Sequence, residues 1–150
     1  MSTRGTIALE FADGTVQQVY CHSDNYLSHN GEMLLKHWSD PFKLRDLLDQ
    51  GNLSSLGKEV GVKHPFDAPG QYGSPEYSDF KAKFGKMCRF YARDRGEYDQ
   101  SASRFWNFEM YRTSAEWQEY DYILRTDGKW YVGLGDGKFV ELETALKENA

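Results

Sequence analysis

No stretch of apolar residues in the chain approaches the ~20 that a membrane-spanning helix needs. The opening residues, Met1-Ser2-Thr3-Arg4-Gly5, also lack the apolar core of a secretory signal. A cytoplasmic location with no membrane partner is expected. Cysteine is scarce: Cys21 and Cys88 lie far apart and form no Cys-x-x-Cys pair. Neither a zinc site nor a disulfide framework is expected, and both thiols read as buried. Concentrated positive charge is missing too. The 18 Lys and Arg are dispersed among 23 Asp and Glu, the net charge is −5 and the pI is near 5.4. Nucleic-acid affinity rests on clustered cations that neutralise phosphates, so no direct nucleic-acid binding is expected. The acidity is also too modest for mimicry of DNA beyond a local patch. No Gly-rich phosphate loop, Ser-His-Asp constellation or carboxylate pair stands out, so no catalytic residue and no cofactor is assigned.

What the chain does have is aromatics: 10 Tyr, 9 Phe and 4 Trp make up 15% of it, against a mean hydropathy of −0.74. Tyr and Trp combine large contact area with a polar tip and are favoured at protein interfaces, although the same rings also fill small sheet-based cores.

The 150 residues suit one domain. Ile7, Leu9 and Phe11 alternate before Asp13-Gly14, and β-favouring residues follow from Val16 to Cys21. This predicts a hairpin with a two-residue type I′ turn. Its register would set Phe11 against Val16 and Ile7 against Tyr20, sending Ile7, Leu9, Phe11, Val16 and Tyr20 to one face. Met33, Leu34, His37 and Trp38 recur at helical spacing. Asp40 is a good N-cap before Pro41 at the first helical position, Leu44, Leu47 and Leu48 form a buried stripe, and Gly51 ends that helix. Leu53 and Leu56 read as an ordered turn.

From about 64 to 86, Pro65, Pro69, Pro75, Gly70, Gly73 and Gly85 interrupt any periodicity. A long Pro/Gly/aromatic loop is predicted there. Met87 to Arg93 reads as a strand, and Arg104 to about Gln118 as irregular or helical. A meander follows through Tyr120–Arg125, Trp130–Leu134 and Lys138–Leu142, ending in a short polar helix. The fold class is α+β: a single domain with a mostly antiparallel sheet of five or six strands, built from N- and C-terminal hairpins with short helices between.

The segment Tyr20-Cys21-His22-Ser23-Asp24-Asn25-Tyr26, the run Leu34-Leu35-Lys36-His37-Trp38, Asp40-Pro41, Gly51-Asn52-Leu53-Ser54-Ser55-Leu56-Gly57 and Tyr91-Ala92-Arg93-Asp94-Arg95-Gly96-Glu97 occur in that order. With Asp127-Gly128-Lys129-Trp130-Tyr131-Val132 near the end, they resemble small accessory proteins of bacteriophages and prophages, in which a Tyr-Cys-His-Trp-Asp-Gly-Tyr segment is typical. This chain has Ser23 in place of the Trp and Asn25 in place of the Gly; Asn tolerates a left-handed backbone well, which would keep the turn. The resemblance implies a protein that binds and blocks a host enzyme or defence complex, in the host cytoplasm. It implies no reaction chemistry.

Nine residues are candidates for binding: Tyr20, His22, Asp24, Tyr26, Arg93, Arg95, Glu97, Tyr72 and Tyr77. Tyr20 to Tyr26 close the first hairpin, with Asp24 expected to accept from turn amides. His22 and Asp24, with His29 and His37 further on, offer metal-ligating atoms, but no pair has His-x-x-x-His spacing and no metal is assigned. If a strand carries Arg93 and Arg95 on one face, two guanidinium forks could hold a carboxylate or phosphate; the plainer alternative is a solvated turn with internal ion pairs. Two functions follow. One is a phage-type accessory protein that binds a host protein complex stoichiometrically as a counter-defence or host-takeover inhibitor. The other is a small binder or hydrolase of a nucleotide-like ligand, with His22, Asp24, Arg93 and Arg95 in one pocket.

Overall fold

The computed structural model describes residues 2–148. Its centre is one eight-stranded sheet. In chain order the strands are β1 (Gly5–Glu10), β2 (Val16–Cys21), β3 (Leu53–Ser55), β4 (Arg89–Phe90), β5 (Ser103–Phe105), β6 (Tyr120–Leu124), β7 (Trp130–Gly133) and β8 (Phe139–Glu141). The helices are α1 (Glu32–His37), preceded by a π-helical turn at Leu27–Gly31, α2 (Pro41–Asp49), α3 (Pro75–Phe84), α4 (Tyr91–Arg95), α5 (Phe108–Ser114) and α6 (Leu142–Glu148). The order across the sheet is β4-β3-β2-β1-β6-β7-β8, and β5 also pairs with β2.

The α+β class holds, but the sheet is mixed and has more strands than the sequence suggests. The two hairpins meet through their leading strands, so β1 lies parallel to β6 from Gly5↔Tyr120 to Leu9↔Leu124. β2 and β3 touch in parallel at Cys21↔Leu53, across the helical crossover of α1 and α2. The added strands β3 and β5 span three residues each, and of the strand expected at Met87–Arg93 only Arg89–Phe90 pairs, as β4. Segments that short show no alternation to read. Leu53, expected in a turn, therefore belongs to a strand.

The first hairpin forms one register away from the expected one. Ile7 pairs with Val19, Thr6 with Tyr20 and Glu10 with Val16. Phe11 instead sits opposite Thr15, donating its N–H to the Thr15 carbonyl at 2.8 Å, while Gly14 N donates to Phe11 O at 2.9 Å. This is a three-residue loop, a type I turn closed by Gly14 at φ +91°. Only one left-handed residue is needed, so Asp13 stays out of that region and its carboxylate accepts from Thr15 N and Thr15 Oγ1. A one-residue slip reverses every side chain. Ile7, Leu9, Val19 and Cys21 thus share one core, whereas Val16 joins Ala8 and Ile123 on the other face, the face that also carries Tyr20.

Both faces are covered. On the first, α1, α2 and α6 bring Leu34, Trp38, Leu44, Leu47, Leu48 and Leu142, all fully buried, onto the strands. Each such side chain contributes about 1.5–3 kcal/mol. The α2 start and stop signals act as expected: Asp40 accepts from Phe42 N at 2.9 Å, and Gly51 follows the helix at φ +85°. On the second face Tyr111 of α5 is the buried centre of a ring cluster with Phe105, Phe108, Trp117 and Phe139. Much of the aromatic content is therefore core.

The predicted loop at 64–86 contains α3. Ser74 caps it by accepting from Tyr77 N, and Pro75 sits at the first helical position. The helix buries no residue fully; it leans on His64, whose ring stacks on Phe84 at 5.2 Å and meets Phe80 edge-on at 6.2 Å. Without a buried stripe there is little periodicity to recognise.

Candidate functional site

The Tyr20–Tyr26 segment is built around two side chains that point inward. Asn25 is fully buried. Its Nδ2 donates to the carbonyls of Thr3 (2.9 Å), Cys21 (2.9 Å) and Ser23 (3.2 Å), and its Oδ1 accepts from Asn30 Nδ2 at 3.2 Å. Its carbonyl accepts from the buried Tyr122 hydroxyl at 2.5 Å. The Cys21 thiol lies in this knot, 3.7 Å from Asn30 Nδ2, and burial pushes its pKa up to about 12. It is a packed thiol rather than a nucleophile. The left-handed residue is Asp24 (φ +62°), not Asn25. The exposed Asp24 carboxylate makes no hydrogen bond to turn amides; the Asp24 carbonyl accepts from Asn30 N instead.

The candidates of this segment face outward around that knot. The Tyr20 hydroxyl and His22 Nδ1 are 2.8 Å apart, and partial burial raises the Tyr20 pKa. Tyr26 is 39% exposed, with its ring 5.7 Å from that of His29.

The second cluster is not a strand beyond Phe90. The chain turns into α4 and leaves it through Gly96 in the left-handed region. Arg93 and Arg95 accordingly do not form a shared fork. Arg93 donates to the carbonyls of Val60, Gly61 and Cys88 and pairs with Asp94 at 2.9 Å. Asp94 in turn accepts from Phe90 N (2.9 Å) and His64 N (3.1 Å). Burial opposes the charge on Asp94, but the bonds from Arg93, Phe90 and His64 outweigh it and hold the pKa below the usual carboxylate value. Arg95 pairs with Glu97 and lies over the rings of Phe66 (4.5 Å) and Tyr91 (5.0 Å). Arg93 thus holds the 60–64 stretch against β4, while Arg95 and Glu97 form a surface pair. Asp24 lines a cleft with His64, Phe80 and Arg89, and Arg93 lines another with Asp49 and Glu97. Among the described residues, no group of three or more His, Cys, Asp or Glu is arranged to hold a metal ion.

The aromatic candidates lie at the start of α3. Tyr72 is 90% exposed and its ring is 5.2 Å from that of Tyr77. Three further exposed rings escaped the sequence reading: Phe42 (81%), Tyr98 (90%) and Trp106 (78%). Phe42 was legible in principle. It lies about 200° around the helix from Leu44, opposite the buried stripe. Trp106 gave no signal, being the single residue between β5 and the Asn107 cap of α5. Phe42 also borders an apolar cleft of about 370 Å³ between the first hairpin, the start of α2 and the turn after β6, lined by Leu9, Phe11, Ala12, Pro41 and Leu124. At this cleft Arg45 lies over the Phe11 ring at 5.7 Å, and Arg125 grips Glu10 through two 3.1 Å bonds.

A second cleft, about 460 Å³, has the opposite character. Thr6, Gln18, Tyr20, Asn52, Ser103 and Gln118 line it. Directly behind is the fully buried Asp121, which accepts from Thr6 Oγ1 at 2.6 Å and from Gln118 N at 3.2 Å. Burial dominates there and pushes the Asp121 pKa up to about 6. The Gln18 side chain and the Tyr111 hydroxyl are both buried and lie against each other beside Thr6.

Among the described residues no helix is long and apolar enough to cross a membrane. Compared with protein-family models, with curated proteins and with solved structures, the chain finds no match.

Proposed function

We propose that this chain is a phage-type accessory protein that binds a host protein complex stoichiometrically and inhibits it, in counter-defence or host takeover. The observation that carries the binding part is the exposure of Phe42, Tyr72, Tyr98 and Trp106, each more than three-quarters open to solvent. Large rings left in water can serve as interface anchors, because a few aromatic and Arg side chains hold most of an interface's affinity. Phe42 is the strongest of these because it stands beside an apolar cleft. The phage setting rests on the sequence resemblance alone. The nucleotide-pocket reading has less support: Arg93 is committed to backbone carbonyls and Asp94, and Arg95 to Glu97.

The test is affinity capture from bacterial lysate by the wild-type chain and by Phe42→Ala, Trp106→Ala and His22→Ala, followed by native mass measurement of the complex. The reading predicts a defined complex of fixed stoichiometry. Loss of one anchoring ring should weaken it by about 2 kcal/mol or more, roughly 30-fold, while His22→Ala leaves it intact. A complex unaffected by every aromatic substitution contradicts it.

A further inference from the structure

The apolar cleft beside α2 keeps one charge that the fold leaves unmatched. Leu9 and Leu124, almost fully buried, form its inner end, and Phe11, Ala12, Pro41 and the exposed Phe42 its walls. Most polar groups on the lining are committed within the chain. Both Glu10 oxygens accept from the Arg125 guanidinium, and Oε1 also accepts from Thr126 N and Oγ1, so that pair is closed on itself. Ser39 Oγ donates to Leu35 O at 2.9 Å. Arg45 is the exception. Its guanidinium lies over the Phe11 ring at 5.7 Å, its side chain is 60% exposed, and its one carboxylate neighbour among the described residues, Asp49, is 4.0 Å away. Asp49 also accepts from Gln17 Nε2 at 3.3 Å. No guanidinium donor of Arg45 makes a hydrogen bond among the described residues.

The occupant that fits brings apolar surface for the walls and a negative charge for Arg45. A ligand rich in hydroxyls would bury them against carbon without partners. A cation would face both Arg45 and Arg125. A phosphate ester carries close to two charges, and the lining offers one unmatched cation to answer them. A carboxylate is planar, carries a single charge and matches the guanidinium fork through two parallel N–H···O bonds. The cleft volume of about 370 Å³ lies toward the low end for small-molecule sites, which suits a short apolar body.

We propose that this cleft binds a small apolar monocarboxylate, a medium-chain fatty acid, with its chain along Leu9, Phe11 and Leu124 and its carboxylate on Arg45. The site goes beyond the protein-binding reading, and because the experiment uses the chain alone, it succeeds or fails independently of any partner capture. That experiment is an NMR titration of the isotope-labelled chain near neutral pH with octanoate, with octanol and octylamine in parallel. Saturable shifts at the Leu9 and Leu124 methyls and at the Ala12 and Phe42 amides are expected with octanoate, and none that saturate with the cationic octylamine. Arg45→Ala, at an exposed position of α2, should weaken octanoate about fivefold, the scale of one exposed ion pair, and bring it level with octanol. Arg112→Ala, which removes the same charge from α5 on the opposite face of the sheet, should leave octanoate unchanged. The proposal is overturned if octanoate gives no saturable shifts by about 10 mM, where a complex with a Kd of about 1 mM would be nearly full. It is equally overturned if octylamine binds as tightly as octanoate, or if Arg45→Ala binds octanoate as the wild type does. Movement of the same resonances on dilution of the chain alone would make a second copy the occupant and overturn it too.

Discussion

Single residues decide more in this chain than its motifs do. Asn25 carries three donated bonds and one accepted bond in a site closed to water. Asn25→Ala would remove all four of these side-chain bonds, leaving Thr3 O with the residue-25 N–H and Ser23 O with Asn30 Nδ2, and a loss of about 3 kcal/mol or more is expected in chemical denaturation. A loss below about 1 kcal/mol would show that the knot is not what holds the turn. Gly5 belongs to the same knot, since an added Cβ would fall 2.5 Å from the Asn25 carboxamide and from the Tyr120 carbonyl oxygen. Asn25 was visible in the sequence only as a candidate for the left-handed turn position. Nothing in a sequence distinguishes an amide that bends the backbone from one that fills a buried hydrogen-bonding site.

Asp121 gives the residue scale a pH signature. Its pKa rises from 3.8 to about 6 on folding, so the folded state holds the proton more tightly than the unfolded chain. Its contribution is fully present well below pH 3.8 and is lost as pH rises through 6, an effect of about 3 kcal/mol in all and about 2 kcal/mol between pH 4 and 7. Glu10 and Asp94, whose pKa values are lowered, act in the opposite sense and only below about pH 4.5. Denaturation curves across this range should show the decline in the wild type and its absence in Asp121→Asn. The same slope in both proteins would assign the effect elsewhere.

At the scale of elements, local signals worked where they specify a position rather than a period. The Asp40-Pro41 start, the Leu stripe and the Gly51 stop of α2 all lie where sequence places them. Asp13-Gly14 marked the hairpin correctly but not its turn type, because the two-residue and three-residue loops share that dipeptide and differ by one register step. The observed geometry makes a sharp prediction. Gly14 has open space around a Cβ, so any cost of substitution is backbone strain alone. Gly14→Val should destabilise by about 2 kcal/mol and Gly14→Asn by much less, since Asn enters the left-handed region readily. Equal thermal shifts for the two would contradict the turn assignment. The Ser74-Pro75 start of α3 carried the same kind of signal as Asp40-Pro41, but without a buried stripe behind it the surrounding Pro and Gly dominated the reading.

For the whole molecule, sequence pattern supplied the α+β class, the terminal meander and the closing helix, and missed how the two hairpins join. The parallel β1–β6 contact links residues more than a hundred positions apart, and no local property of either strand declares it. The candidate site was legible to a similar degree. Tyr72 is exposed, whereas Arg93, a candidate because of its charge, is bonded within the chain. Once the folding roles of Asn25, Arg93 and Asp94 are subtracted, the surface retains exposed rings around a well-packed body, which we propose works by occupancy and not by turnover. Titration of the chain against its captured, purified partner separates occupancy from turnover. Inhibition that saturates near molar equivalence and shifts to higher concentration with Phe42→Ala is the predicted result; full effect at a small fraction of the partner concentration, abolished by His22→Ala in a folded protein, would contradict it.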